Sequence, residues 1–199
     1  MKYPDNSRLN ILSVFSLSLV IWIGLGGCTT TEIRKVFITP TVLPAESTEN
    51  KISVSAALVL DKPFKEYGTP VNLVGATAIY VLGDHLSRYA VDVSRYLFRH
   101  VVVYDSMEVA VNKADVILVP KVARSSMFLT KPRVLLVVEW LVKDRTGQQT
   151  LWLTSIEAEA AETKYSKLGK ACQRVFDDLS LKTLKAFDAS PEIKRLTIR

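Results

Sequence analysis

Residues that could carry out catalysis are few in this sequence of 199 amino acids. The chain contains two histidines, His85 and His100, and two cysteines, Cys28 and Cys172. A metal centre would also need carboxylates at ligand spacing, and the sequence shows no such spacing. It also lacks a Gly-x-Ser-x-Gly turn and a glycine-rich loop that would bind a phosphate. We therefore predict that the protein is not an enzyme and has no catalytic residue, no metal and no cofactor.

Most of the remaining candidates have simple structural interpretations. His85 lies at the edge of the apolar face of a predicted helix, and His100 ends that helix, where the dipole favours a histidine. Cys172 falls within an apolar stripe, and a buried thiol behaves as a small, unreactive hydrophobe. Glu139 interrupts an otherwise apolar strand, where burial would raise the pKa of its carboxyl group. We favour the other interpretation, an exposed patch or a pairing with a Lys or Arg of the next strand.

The first 27 residues have the three parts of an export signal. Lys2 and Arg8 give a short positive start, and an apolar stretch runs from residue 9 to residue 23. A membrane-spanning helix needs about 20 apolar residues, whereas this stretch is shorter and is interrupted by serines. It closes on the small residues of Leu25-Gly26-Gly27-Cys28. The sequence therefore predicts a removable signal peptide over residues 1–27.

The quartet Leu25-Gly26-Gly27-Cys28 resembles the lipobox of bacterial lipoprotein precursors. That resemblance implies diacylglycerol on the Cys28 thiol, cleavage between Gly27 and Cys28, and acylation of the new amino terminus. Several acyl chains would anchor the protein in membrane lipid without a spanning helix. Thr29 is not the Asp that retains lipoproteins in the inner membrane of enteric bacteria. The resemblance therefore implies the periplasmic face of the outer membrane.

The mature chain would hold 172 residues, enough for one ordinary domain. We predict a lipidated N-terminus and polar tether over residues 28–50 and a single globular domain over residues 51–199, although residues 33–38 could form a short strand or pack on the domain. Removal of Lys2, Arg8 and Asp5 changes the net charge from +6 to +5. The basic residues are scattered, so we expect no nucleic acid partner. Lipidation of Cys28 would leave Cys172 without a disulfide partner.

Hydrophobic periodicity then predicts the elements of the domain. Amphipathic helices are predicted at residues 82–99 and 164–187, and Ser106 could cap a short helical turn over residues 106–113. Strands are predicted at residues 52–60, 101–104, 115–120, 134–142 and 150–158, and the strand at 115–120 could continue to residue 128. The strand at 101–104 is predicted to be short and buried, and the one at 134–142 to be central. A loop with Pro63, Gly68 and Pro70 follows the first strand. The pattern predicts an α+β fold, a four- to five-stranded mostly antiparallel sheet packed by two amphipathic helices.

The order of these elements resembles that of envelope-assembly lipoproteins over residues 52 to 187. The similar groups are the lipoprotein of the lipopolysaccharide translocon, and the curli-secretion lipoprotein with the activators of penicillin-binding proteins. The quoted segments are residues 83–86, 101–103, 114–118 and 140–147. The resemblance implies a non-enzymatic accessory or assembly factor with an envelope protein partner, and it carries over no binding residue.

Two other function classes stay open on the sequence alone. A lipid- or small-ligand-binding transport auxiliary would need a hollow apolar pocket between helices and sheet. A periplasmic enzyme would need a cleft that gathers Glu139 or His85 with further polar groups. A solid core with an apolar or charged surface patch would instead favour a protein partner.

Overall fold

A computed structural model describes residues 30–41, 43–44, 51–74 and 76–196 of the chain. The predicted signal peptide, Gly27 and Cys28 lie outside these residues. The strands are β1 (Thr30–Lys35), β2 (Ile52–Val59), β3 (Gly68–Leu73), β4 (Ala76–Val81), β5 (Phe98–Tyr104), β6 (Val116–Phe128), β7 (Arg133–Asp144) and β8 (Thr150–Ala161). The helices are α1 (Lys62–Lys65), α2 (Gly83–Leu97), α3 (Met107–Ala110), α4 (Leu168–Ala189) and α5 (Pro191–Leu196).

The larger sheet has five strands in the order β5-β2-β6-β7-β8. The predicted α+β class and the strand number are confirmed, but the strand directions are mixed. Strands β5, β2 and β6 run parallel, whereas β6, β7 and β8 are antiparallel. The expectation of a mostly antiparallel sheet holds only for the part made by β6, β7 and β8. Parallel neighbours need a long crossover, and helix α2 lies in the connection from β2 to β5.

Helices α2 and α4 cover one face of this sheet, here called the core face. Both helices bury residues at the spacing of an amphipathic helix, among them Leu86 and Val93 on α2 and Cys172 and Leu179 on α4. Alternate residues of β7 point to the same face, and its Trp140 is fully buried. Full burial of such a large apolar side chain stabilises the fold by about 1.5–3 kcal/mol.

The bounds of the two predicted helices are confirmed to within a few residues. Helix α4 starts later than predicted because residues Tyr165–Lys167 form a 3₁₀ turn, and Tyr165 is exposed rather than part of the apolar stripe. It ends at Ala189, two residues beyond the predicted end, and Pro191 begins the short helix α5. The Ser190 hydroxyl oxygen accepts a hydrogen bond from the Ile193 amide (3.2 Å) and thereby caps α5.

A second sheet, which the sequence analysis did not predict, has the strand order β1-β4-β3. The expected loop after β2 is instead helix α1 followed by the β3–β4 hairpin. Pro70 lies within β3, which is tolerated because β3 is an edge strand of this sheet. Strand β1 adds to β4 in parallel register. The alternative in which residues 33–38 form a strand or pack on the domain is therefore what the structure shows, and Val36 and Ile38 are buried.

Strand β5 is more exposed than predicted. It lies at the edge of the larger sheet, so Val102 and Val103 are exposed although the apolar run predicted a buried strand. His100 also belongs to β5, opposite Ser55, because α2 ends at Leu97. The expectation that His100 ends the helix is therefore wrong. Ser106 does precede a helical turn, α3, but its side chain makes no capping hydrogen bond to the helix.

The hairpin between β7 and β8 turns at residues 144–147, whose types are typical of a turn. Gly147 has a φ of +72°, which glycine adopts at little cost. The Asp144 carboxylate accepts hydrogen bonds from the Thr146 hydroxyl (2.6 Å) and the Gln149 amide (3.0 Å). These bonds lower the pKa of Asp144, the Thr146 hydroxyl being the largest cause.

Candidate functional site

Residues 36 to 41, here called the strap, follow β1 across helix α4. The amide and the hydroxyl of Thr39 both donate to Gln173 Oε1, at 2.8 Å each. The Thr41 hydroxyl donates to Asp177 Oδ1 (2.8 Å), which also accepts from Gln173 Nε2 (2.9 Å). The strap is thus fastened to two adjacent turns of α4. Part of the segment predicted as a tether therefore belongs to the folded unit.

His85 holds the strap from the other side. Its Nε2 lies 2.7 Å from the carbonyl oxygen of Val36, and a carbonyl oxygen only accepts, so Nε2 carries the proton. The imidazole ring is tilted against Phe176 with 6.0 Å between ring centroids. These contacts agree with the structural role expected for His85. His100, the other histidine, is exposed on β5.

A shallow cleft lies between the strap, α2 and α4. Its lining includes His85, Arg88, Asp92 and Ser180. Partial burial raises the pKa of Asp92, an effect that the charges of Arg88 and Arg95 oppose.

The cleft gathers polar groups around His85, as a periplasmic enzyme would need, but two of these groups already make hydrogen bonds within the fold. His85 Nε2 donates to the strap, and the Ser180 hydroxyl donates to the carbonyl oxygen of Phe176 (2.8 Å). The cleft has room for about one water molecule. Glu139 does not line it. We therefore do not place the functional site there.

Between the sheet and the helices, the space is filled by packed aromatic rings. Trp140 meets Tyr89 and Phe187 edge to face, with centroids 5.9 and 5.6 Å apart. Trp152 lies 4.6 Å from Phe187 and is half-buried at the end of this cluster. Edge-to-face packing of this kind adds to the stabilisation from area burial.

One chain of hydrogen bonds runs through this aromatic core. Trp140 Nε1 donates to the Tyr89 hydroxyl (2.9 Å), and the Thr183 hydroxyl donates to the Leu179 carbonyl oxygen (2.7 Å). The Tyr89 and Thr183 hydroxyls are 2.6 Å apart. Because the Thr183 proton is already used, Tyr89 is the donor in this pair. Burial raises the pKa of Tyr89, and the chain satisfies every hydroxyl that it contains.

Cys172 lies on α4 in the same core and is fully buried. Burial raises the pKa of its thiol to about 12, so the reactive thiolate is disfavoured at neutral pH. The expectation that Cys172 is a packing residue is confirmed.

Among the helices that the structure describes, only α3 covers the opposite face of the larger sheet, here called the outer face, and it lies at one end of that face. Helix α3 packs there on a second small core made by Ala57, Val59, Ala110, Ile117 and Val119. Leu141 of β7 lies against this core and is half-buried. Its neighbour in register on β8, Leu153, is 57% exposed. An apolar row thus extends from beneath α3 to the open edge of the sheet.

Beyond this row the outer face carries charges. Glu139 is half-buried and lies in register with Lys121 on β6 and Ser155 on β8. Opposite charges at facing positions of neighbouring strands stabilise a sheet. The structure therefore agrees with the interpretation of Glu139 as a surface charge beside a basic residue of the next strand. The next row holds an ion pair, Arg124 Nη2 to Glu157 Oε2 at 2.9 Å.

Strand β8 is an edge strand with two unlike halves. Residues 150–155 are uncharged and carry the exposed Leu153, whereas Glu157 and Glu159 follow in the second half. Charged side chains protect a sheet edge from unwanted pairing. The first half of β8 lacks that protection, and with Leu141 and Leu153 it forms the candidate interaction surface. Alternation along β8 puts Leu153 and Trp152 on opposite faces of the sheet, but the sequence does not indicate which face the helices cover.

The described residues contain no helix long and apolar enough to cross a membrane, and they contain no group of His, Cys, Asp or Glu placed to hold a metal ion. The predicted lipidation site, Cys28, lies two residues before Thr30, where β1 begins.

Comparison with known proteins gives similarity to solved structures alone. No family model matches the chain, and no curated protein matches it. Protein XCC0632 of Xanthomonas campestris, from the DUF330 family, is 11% identical and covers 76% of this chain and 92% of its own, with a TM-score of 0.49. A PelC variant dodecamer from Paraburkholderia phytofirmans is 15% identical, with coverages of 70% and 92% and a TM-score of 0.39. A minor lipoprotein of Acinetobacter baumannii is 14% identical, with coverages of 68% and 93% and a TM-score of 0.38. We base no functional argument on similarities at this level.

Proposed function

We propose that this chain is a lipoprotein acylated at Cys28, anchored on the periplasmic face of the outer membrane, and a non-enzymatic accessory or assembly factor of an envelope protein complex. The observation that carries the proposal is the candidate interaction surface on β7 and β8. Its apolar row is continuous with the small core under α3 and ends at the open sheet edge in the exposed Leu153.

The two faces of the sheet support a protein partner over a small ligand. On the core face, rings from the sheet and from both long helices fill the space in which an apolar ligand would lie. On the outer face, the first half of β8 offers apolar side chains beside an uncharged strand edge. Protein partners bind such edges by adding a strand or by covering the apolar row. A transport auxiliary that holds lipid inside its core is the alternative function. The packed rings occupy the space that such a lipid would need, so we favour the protein partner.

The partner is tested by photo-crosslinking in living cells. A photoreactive amino acid replaces Leu153, and the matched control places it at Leu181, an exposed leucine on α4. We expect position 153 to capture an envelope protein that mass spectrometry identifies, and position 181 to capture little of it. Capture of no envelope protein above background from position 153, with the full-length protein expressed and lipidated, would overturn the accessory role.

The anchor is tested separately. A fatty-acid probe is expected to label the natural chain and not the Cys28→Ser variant, because no other residue is expected to carry the acyl chains. Cys172→Ser is the matched control, since the buried Cys172 thiol is not a lipidation site in the proposal. Labelling that persists in Cys28→Ser would disprove lipidation at that residue.

A further inference from the structure

We infer that the β3–β4 hairpin tip, with Val74 at its end, rests in the interfacial layer of the membrane that anchors the protein. The inference depends on the proposed lipidation of Cys28. It goes beyond that proposal because it fixes which end of the domain faces the lipid. The occupant of this surface is the lipid leaflet itself.

The hairpin tip lies within a short reach of Cys28. Cys28 is two residues from Thr30, and two residues span at most about 7 Å. Thr30 lies in register with Ala76, on a neighbouring strand about 5 Å away. Val74 is two residues before Ala76, so its Cα lies at most about 20 Å from that of Cys28. The acylated residue therefore holds this end of the small sheet at the membrane surface.

This end of the small sheet exposes an apolar side chain. Val74 is fully exposed to solvent at the tip of the hairpin. Leu73, beside it, is half-buried and packs on the core, so the tip has one apolar side chain turned outward and one turned inward. Transfer of a fully exposed valine side chain from water to the boundary of the acyl chains is favourable.

Charge is distributed unevenly along the small sheet. The described residues at this end carry no charge: Thr31, Asn72, Leu73, Val74, Ala76 and Thr77. The first charges along β1 are Glu32 and Arg34, which pair with each other at 2.6 Å. Beyond them Arg34 Nη1 lies within hydrogen-bond distance of the hydroxyl oxygens of Tyr80 (3.4 Å) and Tyr165 (3.2 Å). Charged side chains resist entry into a bilayer, so the uncharged end enters and the charged part stays above it.

The opposite end of the domain provides a matched control. Val109 is an exposed valine on α3, which packs at the start of β6, near the β7–β8 hairpin. The small sheet instead contacts the far part of β6, where the Thr69 and Ser125 hydroxyls are 2.9 Å apart. Ser125 lies nine positions after Val116 along β6, and nine positions of strand span about 30 Å.

The test uses the full lipidated protein in vesicles of phosphatidylethanolamine and phosphatidylglycerol. Val74→Cys and Val109→Cys are each labelled with an NBD fluorophore, while the buried Cys172 stays unlabelled in the folded protein. We expect the emission of the label at position 74 to shift to shorter wavelength in vesicles and to be quenched by lipids spin-labelled near the headgroup. The label at position 109 is expected to show neither change.

The outcomes separate the two proposals. Mass spectrometry of the N-terminal peptide first establishes whether Cys28 is acylated, and an unmodified Cys28 would overturn both. Acylated protein whose label at position 74 is not quenched would overturn the hairpin inference and leave the proposed function standing. Equal quenching at both positions would also overturn the inference, because the hairpin would then have no preferred contact with lipid.

Discussion

Arg124 and Glu157 form an ion pair that closes over Val137. The three residues lie in register on β6, β7 and β8, with the valine between the two charged side chains. Although Val137 lies on the outer face, it is 7% exposed. Both charged groups remain largely solvated, so their Coulombic attraction contributes little. We expect the apolar stem of Arg124 to stabilise the sheet mainly by covering the valine.

Arg124→Ala is therefore expected to destabilise the protein by about 0.5–1 kcal/mol, because it uncovers Val137 as well as removing the ion pair. Glu157→Gln keeps the shape of its side chain and is expected to change stability by less than about 0.5 kcal/mol. Urea unfolding followed by tryptophan fluorescence measures both. An equal loss in the two variants would mean that charge, and not coverage, is the main contribution.

Tyr89→Phe is expected to cost about 1–3 kcal/mol, since it leaves the indole N–H of Trp140 buried without its acceptor. The matched control is Tyr96→Phe, which removes the hydroxyl of a half-buried tyrosine on the same helix. Thermal unfolding of the two variants gives the comparison. If Tyr89→Phe is no less stable than Tyr96→Phe, the hydrogen-bond chain contributes nothing to stability.

Gln173→Ala is expected to release the strap without unfolding the domain. The Thr39 amide donates to Gln173 Oε1, so its hydrogen exchange should accelerate, while amides of the central strand β7 keep their protection. Gln148→Ala, on the exposed β7–β8 hairpin, is the control and should leave Thr39 unchanged. Hydrogen exchange with mass spectrometry of the peptide that contains the strap reads the result. Unaltered exchange at Thr39 would show that this amide does not depend on Gln173.

Acid should weaken the contact between Ser55 and Asp115. The Asp115 carboxylate accepts from the Ser55 hydroxyl and from its amide, both at 2.7 Å, which lowers the pKa of Asp115 below its ordinary 3.8. A lowered pKa gives stability that is fully present above the unfolded pKa and is lost as the pH falls through the folded one. The stability difference between the natural chain and Asp115→Asn should therefore be constant from pH 7 to about 5 and shrink below about 3.8.

Denaturant midpoints over this pH range measure the difference, and Asp188→Asn, at an exposed aspartate of α4, is the control. A difference between natural and Asp115→Asn proteins that stays constant to the lowest pH would show that the carboxylate form of Asp115 is not favoured by folding.

Cys172 should be protected from alkylation as long as the protein stays folded. Its thiol is buried and its pKa is raised to about 12, so both access and thiolate formation are restricted. Iodoacetamide at pH 8 is expected to modify Cys172 only after denaturant is added. Rapid modification of the folded protein would mean that α4 opens without global unfolding.

Long periodic segments were predicted well because their apolar pattern matches the face that they bury. Helices α2 and α4 each present one apolar stripe, so their packing against a sheet follows from spacing alone. Strand β7 is apolar on both faces, and it is flanked by β6 and β8. The turn at Gly147 was likewise readable from local residues.

Short segments could not be predicted in this way. Strands β1, β3 and β4 have six residues each, and Pro70 within β3 pointed to a loop. They are strands because they pair with one another in a separate sheet, and such pairing between distant segments leaves little trace in periodicity. Strand β5 was predicted wrongly for the same reason. Its run of valines predicts a buried strand, but β5 lies at the edge of the larger sheet, where Val102 and Val103 are exposed.

By itself the sequence determined the two amphipathic helices, and it predicts an export signal, a cysteine that resembles a lipobox cysteine and few side chains capable of catalysis. These follow from residue type and local spacing. Tertiary structure alone decided that helices cover one sheet face and leave Leu153 exposed on the other, and that β1 places the start of the fold beside Val74. Which face is covered and which strands pair depend on contacts between residues far apart in the chain, and local sequence does not encode those contacts one by one.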